Sequence, residues 1–212
     1  MWESTGMYGQ SALCRYRLGH LRPQHRVTLP ADLFGEGICR VRGDLWQLTW
    51  QERVALRWDA RTLELLDRVA YDREGWGICA ADRYLLTSDG SSDLVRRDPD
   101  TLNPLGVIHV RMDGVRVTGL NDLAWDGRTV WANLIGTGIV AGIDPDTGQV
   151  TDLVDAHAAR ERYPRDPYAI MNGIAALPGE GEFLLTGKTW RAIRHVRLVP
   201  ARNLLNRHGL SQ

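Results

Sequence analysis

The sequence lacks several features that would point to a function class. Only three of its 212 residues are cysteine, an odd number without metal-ligand spacing, so neither a disulfide framework nor a cysteine metal site is indicated. We expect Cys14, Cys39 and Cys79 to be small buried thiols. No apolar run reaches the roughly 18 residues that span a bilayer. The formal net charge is zero, so we expect no membrane and no nucleic-acid partner.

Two further shortages concern the N-terminus and lysine. Residues 1–11 contain neither a basic segment nor an apolar one, so no signal peptide is predicted and the compartment stays undetermined from the sequence. Lys188 is the only lysine among 26 basic residues. A lysine kept against such an arginine bias suits a position that needs a compact ammonium instead of a planar guanidinium. This makes Lys188 a candidate functional residue.

What is present is a repeated pattern in a chain of globular composition. Hydrophobic residues make up 43% and charged residues 25%, which is typical of a soluble folded protein. The pentapeptides GEGIC (35–39) and GWGIC (75–79) recur, with weaker copies LNDLA (120–124) and MNGIA (171–175). The second position of the four copies is occupied by Glu36, Trp76, Asn121 and Asn172, at spacings of 40, 45 and 51 residues.

A second landmark separates short alternating segments. The sequences DARTL (59–63), DPDTL (98–102) and DPDTG (144–148) suit type I turns. Before them run pairs of candidate strands of five or six residues, such as LWQLTW with RVALRW and TVWANL with IVAGI. Four strands in roughly 40–45 residues are typical of a β-propeller blade. We therefore predict an all-β fold, a five-bladed β-propeller of four-stranded antiparallel blades that lacks one or two N-terminal strands.

The predicted organisation is a single β-propeller domain over residues 1–212. Residues 1–34 are interpreted as an incomplete first blade, residues 35–200 as four repeat units, and residues 201–212 as a tail. The last unit is expected to lack its outer strand. The segment AHAARERY (156–163) is the one candidate for an amphipathic helix, and we expect it to form a surface excursion.

The four aligned positions form a candidate site because the innermost strands of a propeller line one central channel. Glu36 beside Trp76 in a restricted channel would lose hydration, which raises the pKa of the carboxyl toward the range useful for proton transfer. Asn121 and Asn172 would add neutral donors and acceptors, and Lys188 a positive charge for a developing oxyanion. The same residues also suit a channel in which polar side chains merely satisfy one another.

Nine motifs, in their order along the chain, resemble those of one known family. They are WESTGMYGQS, LFGEGI, LWQLTW, EGWGI, SDGSS, LNDLAW, ANLIGTG followed by IDPDTG, MNGIA and LTGKTW, and they span residues 2–190. On these motifs the chain is similar to the plant and bacterial type of glutaminyl cyclase, or glutaminyl-peptide cyclotransferase, a family of five-bladed β-propellers. The resemblance implies an acyltransferase that converts N-terminal glutamine to pyroglutamate and releases ammonia.

The resemblance also implies roles for individual residues. Glu36 of FGEGI matches the catalytic acid and base of the family, and Asn121 and Lys188 belong to the same catalytic site. The residues expected to bind substrate are Trp50, Trp76, Asn172 and Trp190. The chemistry implied needs no metal and no other cofactor. The expected partners are peptide or protein N-termini that carry glutamine, the expected state is a monomer, and members of the family are commonly exported.

The chain departs from the family pattern at three places. The inner strand FTQGL of the family, which would precede Trp2, is absent from this sequence. Ile135 stands where the family has tryptophan, and Gly138 replaces an acidic residue of the same stretch. These changes remove part of the expected pocket wall and one stacking partner.

Two alternatives stay open at the level of sequence. A non-catalytic propeller could capture peptide N-termini without turnover, as the three departures allow. A metal-dependent hydrolase of the lactonase type could use Glu36, Asn121 and Asn172 as oxygen ligands to a hard cation. Against the hydrolase, a lysine and tryptophans near the metal would not help, and Asp122 is the only aspartate on a predicted inner strand.

Overall fold

The chain folds into small β-sheets built from strands that follow one another in sequence. The computed structural model describes residues 1–20, 22–160 and 168–199, and it contains 20 strands and one short helix in those ranges. In the five main sheets, strands adjacent in sequence are hydrogen-bonded neighbours. This meander arrangement is that of a five-bladed β-propeller, which confirms the predicted fold class.

The first two sheets lie in the first half of the chain. The first has three strands, β1 (Trp2–Thr5), β2 (Ala12–Arg15) and β3 (His25–Thr28). The second has four strands, β4 (Gly35–Val41), β5 (Asp44–Thr49), β6 (Val54–Asp59) and β7 (Leu65–Ala70).

The remaining sheets repeat the same arrangement. The third sheet contains β8 (Ile78–Ala80), β9 (Leu85–Thr87), β10 (Asp93–Arg97) and β11 (Pro104–His109), and a hairpin of β12 (Arg111–Met112) and β13 (Val115–Arg116) follows it. The fourth contains β14 (Leu120–Trp125), β15 (Val130–Leu134), β16 (Ile139–Ile143) and β17 (Val150–Asp155). The fifth contains β18 (Met171–Ala176), β19 (Glu182–Gly187) and β20 (Arg194–Arg197), three strands among the described residues.

Within the described residues, the predicted helical segment forms one helical turn, α1 (His157–Arg160). The rest of that segment, residues 161–163, and the tail at 201–212 lie outside the described residues. No helix in the described ranges has the length and apolar character needed to cross a membrane.

The burial of each strand matches its residue types and its position in the sheet. The middle strands β5, β9 and β16 are buried along nearly their whole length, whereas the outer strands β7 and β11 are mostly exposed. A strand covered on both faces reads as a continuous apolar run, and an outer strand tolerates polar residues. The predicted pairs of strands are therefore found, although β9 has only three residues.

By its internal contacts the chain divides into two compact units. The first unit comprises Met1–Asp89 with Arg96–Leu105, and the second comprises Gly90–Val95 with Gly106–Gln212. In the first unit one core packs the first sheet on the second through Leu13, Leu45 and Trp58. Another core in this unit packs Trp46 and Leu48 against residues of the third sheet. In the second unit the core lies between the fourth and fifth sheets.

The predicted turns contain the capping interaction expected of a leading aspartate. The Oδ1 atom of Asp98 accepts hydrogen bonds from the backbone N–H groups of Asp100 and Thr101 and from the Thr101 hydroxyl, all at 2.9–3.0 Å. These backbone bonds lower the pKa of Asp98, and the same kind of bonds lower the pKa of Asp59 and Asp144 at the other two turns. The second, third and fourth sheets therefore carry the same self-contained turn before the outer strands β7, β11 and β17.

Candidate active site

The aligned repeat positions lie where the first strand of each sheet departs from regular pairing. On β4 the register passes from Gly35↔Thr49 to Ile38↔Gln47, so Glu36 and Gly37 face one residue of β5. Such an insertion is a β-bulge, which bends the strand and redirects the side chain that it carries. The bulge therefore gives Glu36 a direction that regular alternation along β4 would not give it.

The same irregularity occurs at the other three positions. Asn121 lies in the bulge between Leu120 and Leu123 on β14, and Asn172 lies in the bulge of β18. Just before β8, the Trp76 N–H donates to the Ser88 carbonyl at 3.1 Å, and the Ser88 N–H donates to the Gly77 carbonyl at 3.0 Å. Trp76 and Gly77 thus face one residue, which also explains why regular pairing of β9 ends at Thr87. The sequence repeat is a repeat of this bulge.

In the first unit, the bulges of β4 and β8 contact each other directly. The Gly37 N–H donates to the Trp76 carbonyl at 2.9 Å. A Cβ atom on Gly37 would lie 2.7 Å from that carbonyl oxygen and 2.9 Å from the Gly77 Cα, so only glycine allows this approach. The half-buried Glu36 is therefore next in sequence to the residue that binds the Trp76 backbone.

The two tryptophans predicted for the pocket wall share one hydrogen-bond acceptor. The indole N–H groups of Trp50 and Trp76 both donate to the Oε2 atom of Glu74, at 3.1 and 3.2 Å. The structure thus brings the indoles of Trp50 and Trp76 together at Glu74, and the backbone bond of Gly37 places Glu36 next to the Trp76 segment. Glu74 was not among the predicted site residues, although it begins the motif EGWGI on which the resemblance depends.

An aromatic row continues from Trp50. The ring of Phe34 meets the ring of Trp50 edge-on at a centroid distance of 5.6 Å, and Tyr8 meets Phe34 in the same way at 5.3 Å. Phe34 is a second residue that the sequence prediction missed, and its only signal was its place beside Gly35 in LFGEGI. Edge-to-face contacts of this kind restrain ring orientation and add to the packing energy.

In the second unit, Asn121 and Asn172 lie on first strands that are joined by the side chain of Asp122. Asn121 is 4% exposed. The Oδ2 atom of Asp122 accepts a hydrogen bond of 2.9 Å from the Ile174 N–H, which ties β14 to β18. Burial of this carboxyl raises its pKa to about 7, and the backbone N–H groups of Ile174 and Leu123 only partly offset that rise.

Lys188 and Trp190 lie on the loop that follows β19. The Lys188 N–H donates to the Ile170 carbonyl at 2.9 Å, and the Trp190 N–H closes a turn on the Gly187 carbonyl at 3.1 Å. Thr189 has a φ of +62°, a left-handed conformation that is strained for a β-branched residue. The Lys188 side chain is exposed, while Trp190 packs on the core of the fourth and fifth sheets.

The structure also shows the surroundings of Ile135 and Gly138, the two positions that differ from the family pattern. Ile135 is half-buried, and its N–H donates to the Gly119 carbonyl at 2.9 Å. At Gly138, which has a φ of +72°, an added Cβ would meet the ring of His157 at 2.8–2.9 Å. An acidic side chain at position 138 would therefore require His157 to move. Within the described residues, no group of three or more His, Cys, Asp or Glu side chains is placed to hold a metal ion.

The fold and these side chains define a class of protein: a β-propeller in which a carboxylate, a tryptophan and two amides occupy repeated bulges at the first strands of four sheets. Comparison with known proteins then identifies the family. The family model described as glutamine cyclotransferase matches residues 1–198, and the chain belongs to that family.

Two relatives extend this result. A glutaminyl-peptide cyclotransferase of Arabidopsis thaliana is 27% identical over 205 residues, which cover 95% of this chain and 64% of that protein. The chain therefore spans less than two thirds of the length of this curated relative. The crystal structure of Myxococcus xanthus glutaminyl cyclase superimposes with a TM-score of 0.85 at 32% identity, covering 93% of this chain and 86% of that one.

Proposed function

We propose that this protein is a glutaminyl-peptide cyclotransferase that closes N-terminal glutamine to pyroglutamate. The observation that carries the proposal is the contact between the bulges of β4 and β8, which holds Glu36 beside the Trp76 segment. The names of the relatives in Arabidopsis and Myxococcus support the same reaction. The substrates are peptides or proteins whose first residue is glutamine.

The reaction is an intramolecular acyl transfer. The α-nitrogen of glutamine attacks its own γ-carboxamide carbon, so a C–N bond closes the five-membered lactam and the bond to the amide nitrogen breaks. Glu36 accepts a proton from the α-nitrogen and returns one to the nitrogen that leaves as ammonia. Because nucleophile and electrophile belong to one residue, the protein mainly orients them and moves protons.

The remaining predicted residues are assigned to binding and to charge stabilisation. Asn121 and Lys188 stabilise the carbonyl oxygen as it gains negative charge. Trp50 and Trp76 hold the glutaminyl side chain, and Asn172 and Trp190 contribute to substrate binding. The assignments of Asn121, Lys188, Trp50 and Trp76 rest on the matching family motifs, and Asn121 and Asn172 both lie in repeated bulges.

The test is conversion of a glutamine-initiated peptide followed by mass spectrometry. Loss of one ammonia, about 17 Da, should accompany formation of pyroglutamate, and Glu36→Gln should lower kcat by a factor of 10² to 10⁴, as expected for loss of a general acid–base. Circular dichroism should show the same β-sheet spectrum for both proteins. Full activity in Glu36→Gln would refute the proposed role of Glu36.

A second candidate function is favoured by Ile135, which stands where the family has an aromatic residue. In that case the protein binds peptide N-termini without converting them. The variant Ile135→Trp separates the two functions. Conversion by the parent protein supports the cyclase, whereas conversion only after Ile135→Trp would assign the present chain to binding.

A further inference from the structure

We propose that Glu74 is a positioning residue that sets the orientation of both tryptophans of the substrate pocket and thereby determines the affinity for substrate. This inference rests on the proposed function, because it takes Trp50 and Trp76 as the pocket wall. No sequence motif assigned a role to Glu74. Its place in the structure does, since it lies between the two rings.

The carboxylate of Glu74 accepts hydrogen bonds from three side chains. Its Oε2 atom accepts both indole N–H groups, at 3.1 Å from Trp50 and 3.2 Å from Trp76. Its Oε1 atom lies 3.4 Å from the Nε2 atom of Gln51. Because both indole N–H groups donate to the same oxygen atom, one side chain restrains two rings that are 26 residues apart in sequence.

The backbone around Glu74 is held independently of these bonds. The Gly75 N–H is shared between the carbonyls of Thr49 and Trp50, at 3.1 and 3.0 Å. A Cβ atom on Gly75 would lie 2.6 Å from the Thr49 oxygen, so the segment lies directly on the end of β5. With both backbones fixed, the freedom left to the tryptophans is rotation of their side chains. The shared acceptor removes that freedom.

This arrangement has a consequence for the chemistry that the rings offer. Each indole has a single hydrogen-bond donor, and in both rings Glu74 engages it. The rings therefore present faces and C–H edges to a substrate, which suits the methylene groups of a glutaminyl side chain. A negative acceptor on the indole N–H also makes the ring face more negative, which favours a substrate with a positive N-terminus.

The test compares Glu74→Ala and Glu74→Gln with a matched control elsewhere in the chain. The Oδ2 atom of Asp126 accepts the indole N–H of Trp131 at 2.7 Å, and its Oδ1 atom accepts the backbone N–H groups of Arg128 and Thr129. Asp126→Ala therefore removes the same kind of indole bond, together with a turn cap, at a site without a proposed role. With a glutamine-initiated dipeptide, we expect Glu74→Ala to raise KM about tenfold and to change kcat less than threefold. Glu74→Gln keeps an acceptor and should fall between the parent and Glu74→Ala. Asp126→Ala should leave both constants unchanged.

Proton NMR of the indole N–H groups provides a readout that a general loss of stability would not produce. The resonances of Trp50 and Trp76, assigned with Trp50→Phe and Trp76→Phe, should shift in Glu74→Ala and stay in place in Asp126→Ala. Unshifted resonances, or an unchanged KM in Glu74→Ala, would overturn the proposal. If Glu74→Ala does not fold, the same comparison is decided by Glu74→Gln, which preserves the size of the side chain.

Failure of the proposed function would be seen separately. If the parent protein converts no peptide, the cyclase reaction is refuted. The affinity for the same dipeptide is then measured in place of KM, by following the two indole resonances as the dipeptide is added. Weaker binding by Glu74→Ala than by the parent remains the expected result. Equal binding would overturn the role of Glu74 whatever the reaction.

Discussion

At the scale of single residues, Asp122 and Glu36 show how the same kind of strand position produces different chemistry. Both residues lie in the bulge of a first strand. The carboxyl of Asp122 accepts a hydrogen bond from the Ile174 N–H of the neighbouring strand β18, and burial raises the pKa of this carboxyl to about 7. Asp122 is therefore a structural link between β14 and β18, whereas the proton transfer proposed above is assigned to Glu36.

The raised pKa of Asp122 predicts a pH-dependent effect of Asp122→Asn. In the folded state the carboxyl binds a proton below pH 7, whereas in the unfolded state it does so only below about 4. Between these values the folded state binds more protons, so this carboxyl lowers the free energy of unfolding as the pH rises. Relative to the parent, Asp122→Asn should gain roughly 1–3 kcal/mol between pH 4 and pH 8.

Urea unfolding at the two pH values measures this difference. Asp146→Asn, on an exposed turn, is the surface control for the same kind of substitution. An equal effect of Asp122→Asn at both pH values would mean that the carboxyl is not protonated in the folded protein near neutral pH.

At the scale of elements, the bulged first strand is the unit that the sequence repeats. Four copies of a weakly similar pentapeptide share the same two-against-one pairing, in β4, β14 and β18 and just before β8. The glycine that follows Glu36 allows two neighbouring first strands to approach within hydrogen-bond distance. The repeat could be found from the sequence because few residues fit at such a close approach. The bulge could not be found from the sequence, because one inserted residue does not change the pattern of a five-residue motif in a recognisable way.

The close approach at Gly37 predicts that Gly37→Ala is destabilising. The added Cβ would lie 2.7–2.9 Å from backbone atoms of residues 76–78, which cannot move without shifting β8. We expect the free energy of unfolding to fall by about 1–3 kcal/mol, as in other overpacked sites, and the conversion rate to fall with it. Thermal unfolding and the peptide assay measure the two effects.

The hairpin of the same strand supplies the control for this variant. A Cβ atom on Gly43, between β4 and β5, would meet no atom within 4 Å. Gly43→Ala should therefore keep both the parent stability and the parent activity. Equal losses in Gly37→Ala and Gly43→Ala would show that close packing against Trp76 is not the cause.

At the scale of the whole molecule, carboxyl groups set the pH range over which the fold is stable. Among the residues that the structure describes, six carboxyls have a lowered pKa and one, Asp122, has a raised pKa. For Asp72, burial raises the pKa, but the hydrogen bond and charge of Arg97 outweigh burial, so the net pKa is lowered. The hydrogen bonds from Arg197 and His195 similarly lower the pKa of Glu182. Such groups stabilise the fold above their unfolded pKa, and the stabilisation is lost as the pH falls through the folded pKa.

These opposing shifts predict a maximum of stability in mildly acidic solution. Below about pH 4 the carboxyls with lowered pKa values become protonated and the fold loses their contribution. Above that value the contribution of Asp122 declines until about pH 7. The thermal unfolding midpoint, measured at intervals from pH 3 to pH 8, should therefore be highest between about pH 4 and pH 5. In Asp122→Asn the decline on the neutral side should disappear, and a decline that persists would contradict this account.

The sequence by itself determined the propeller, its repeat and the candidate positions Glu36 and Trp76, whereas Trp50 followed only from the resemblance to the family. Local patterns carry that information, because strand alternation, aspartate-capped turns and glycines at close approaches each restrict the residues that fit. The tertiary structure alone decided which side chains meet. One such contact is the bonding of Glu74 to two indoles, and another is the hydrogen bond between Asp122 and Ile174. These contacts join residues that are between 2 and 52 positions apart in sequence. Such contacts depend on how sheets pack and on where a bulge turns a side chain, and no pattern along a single strand encodes either.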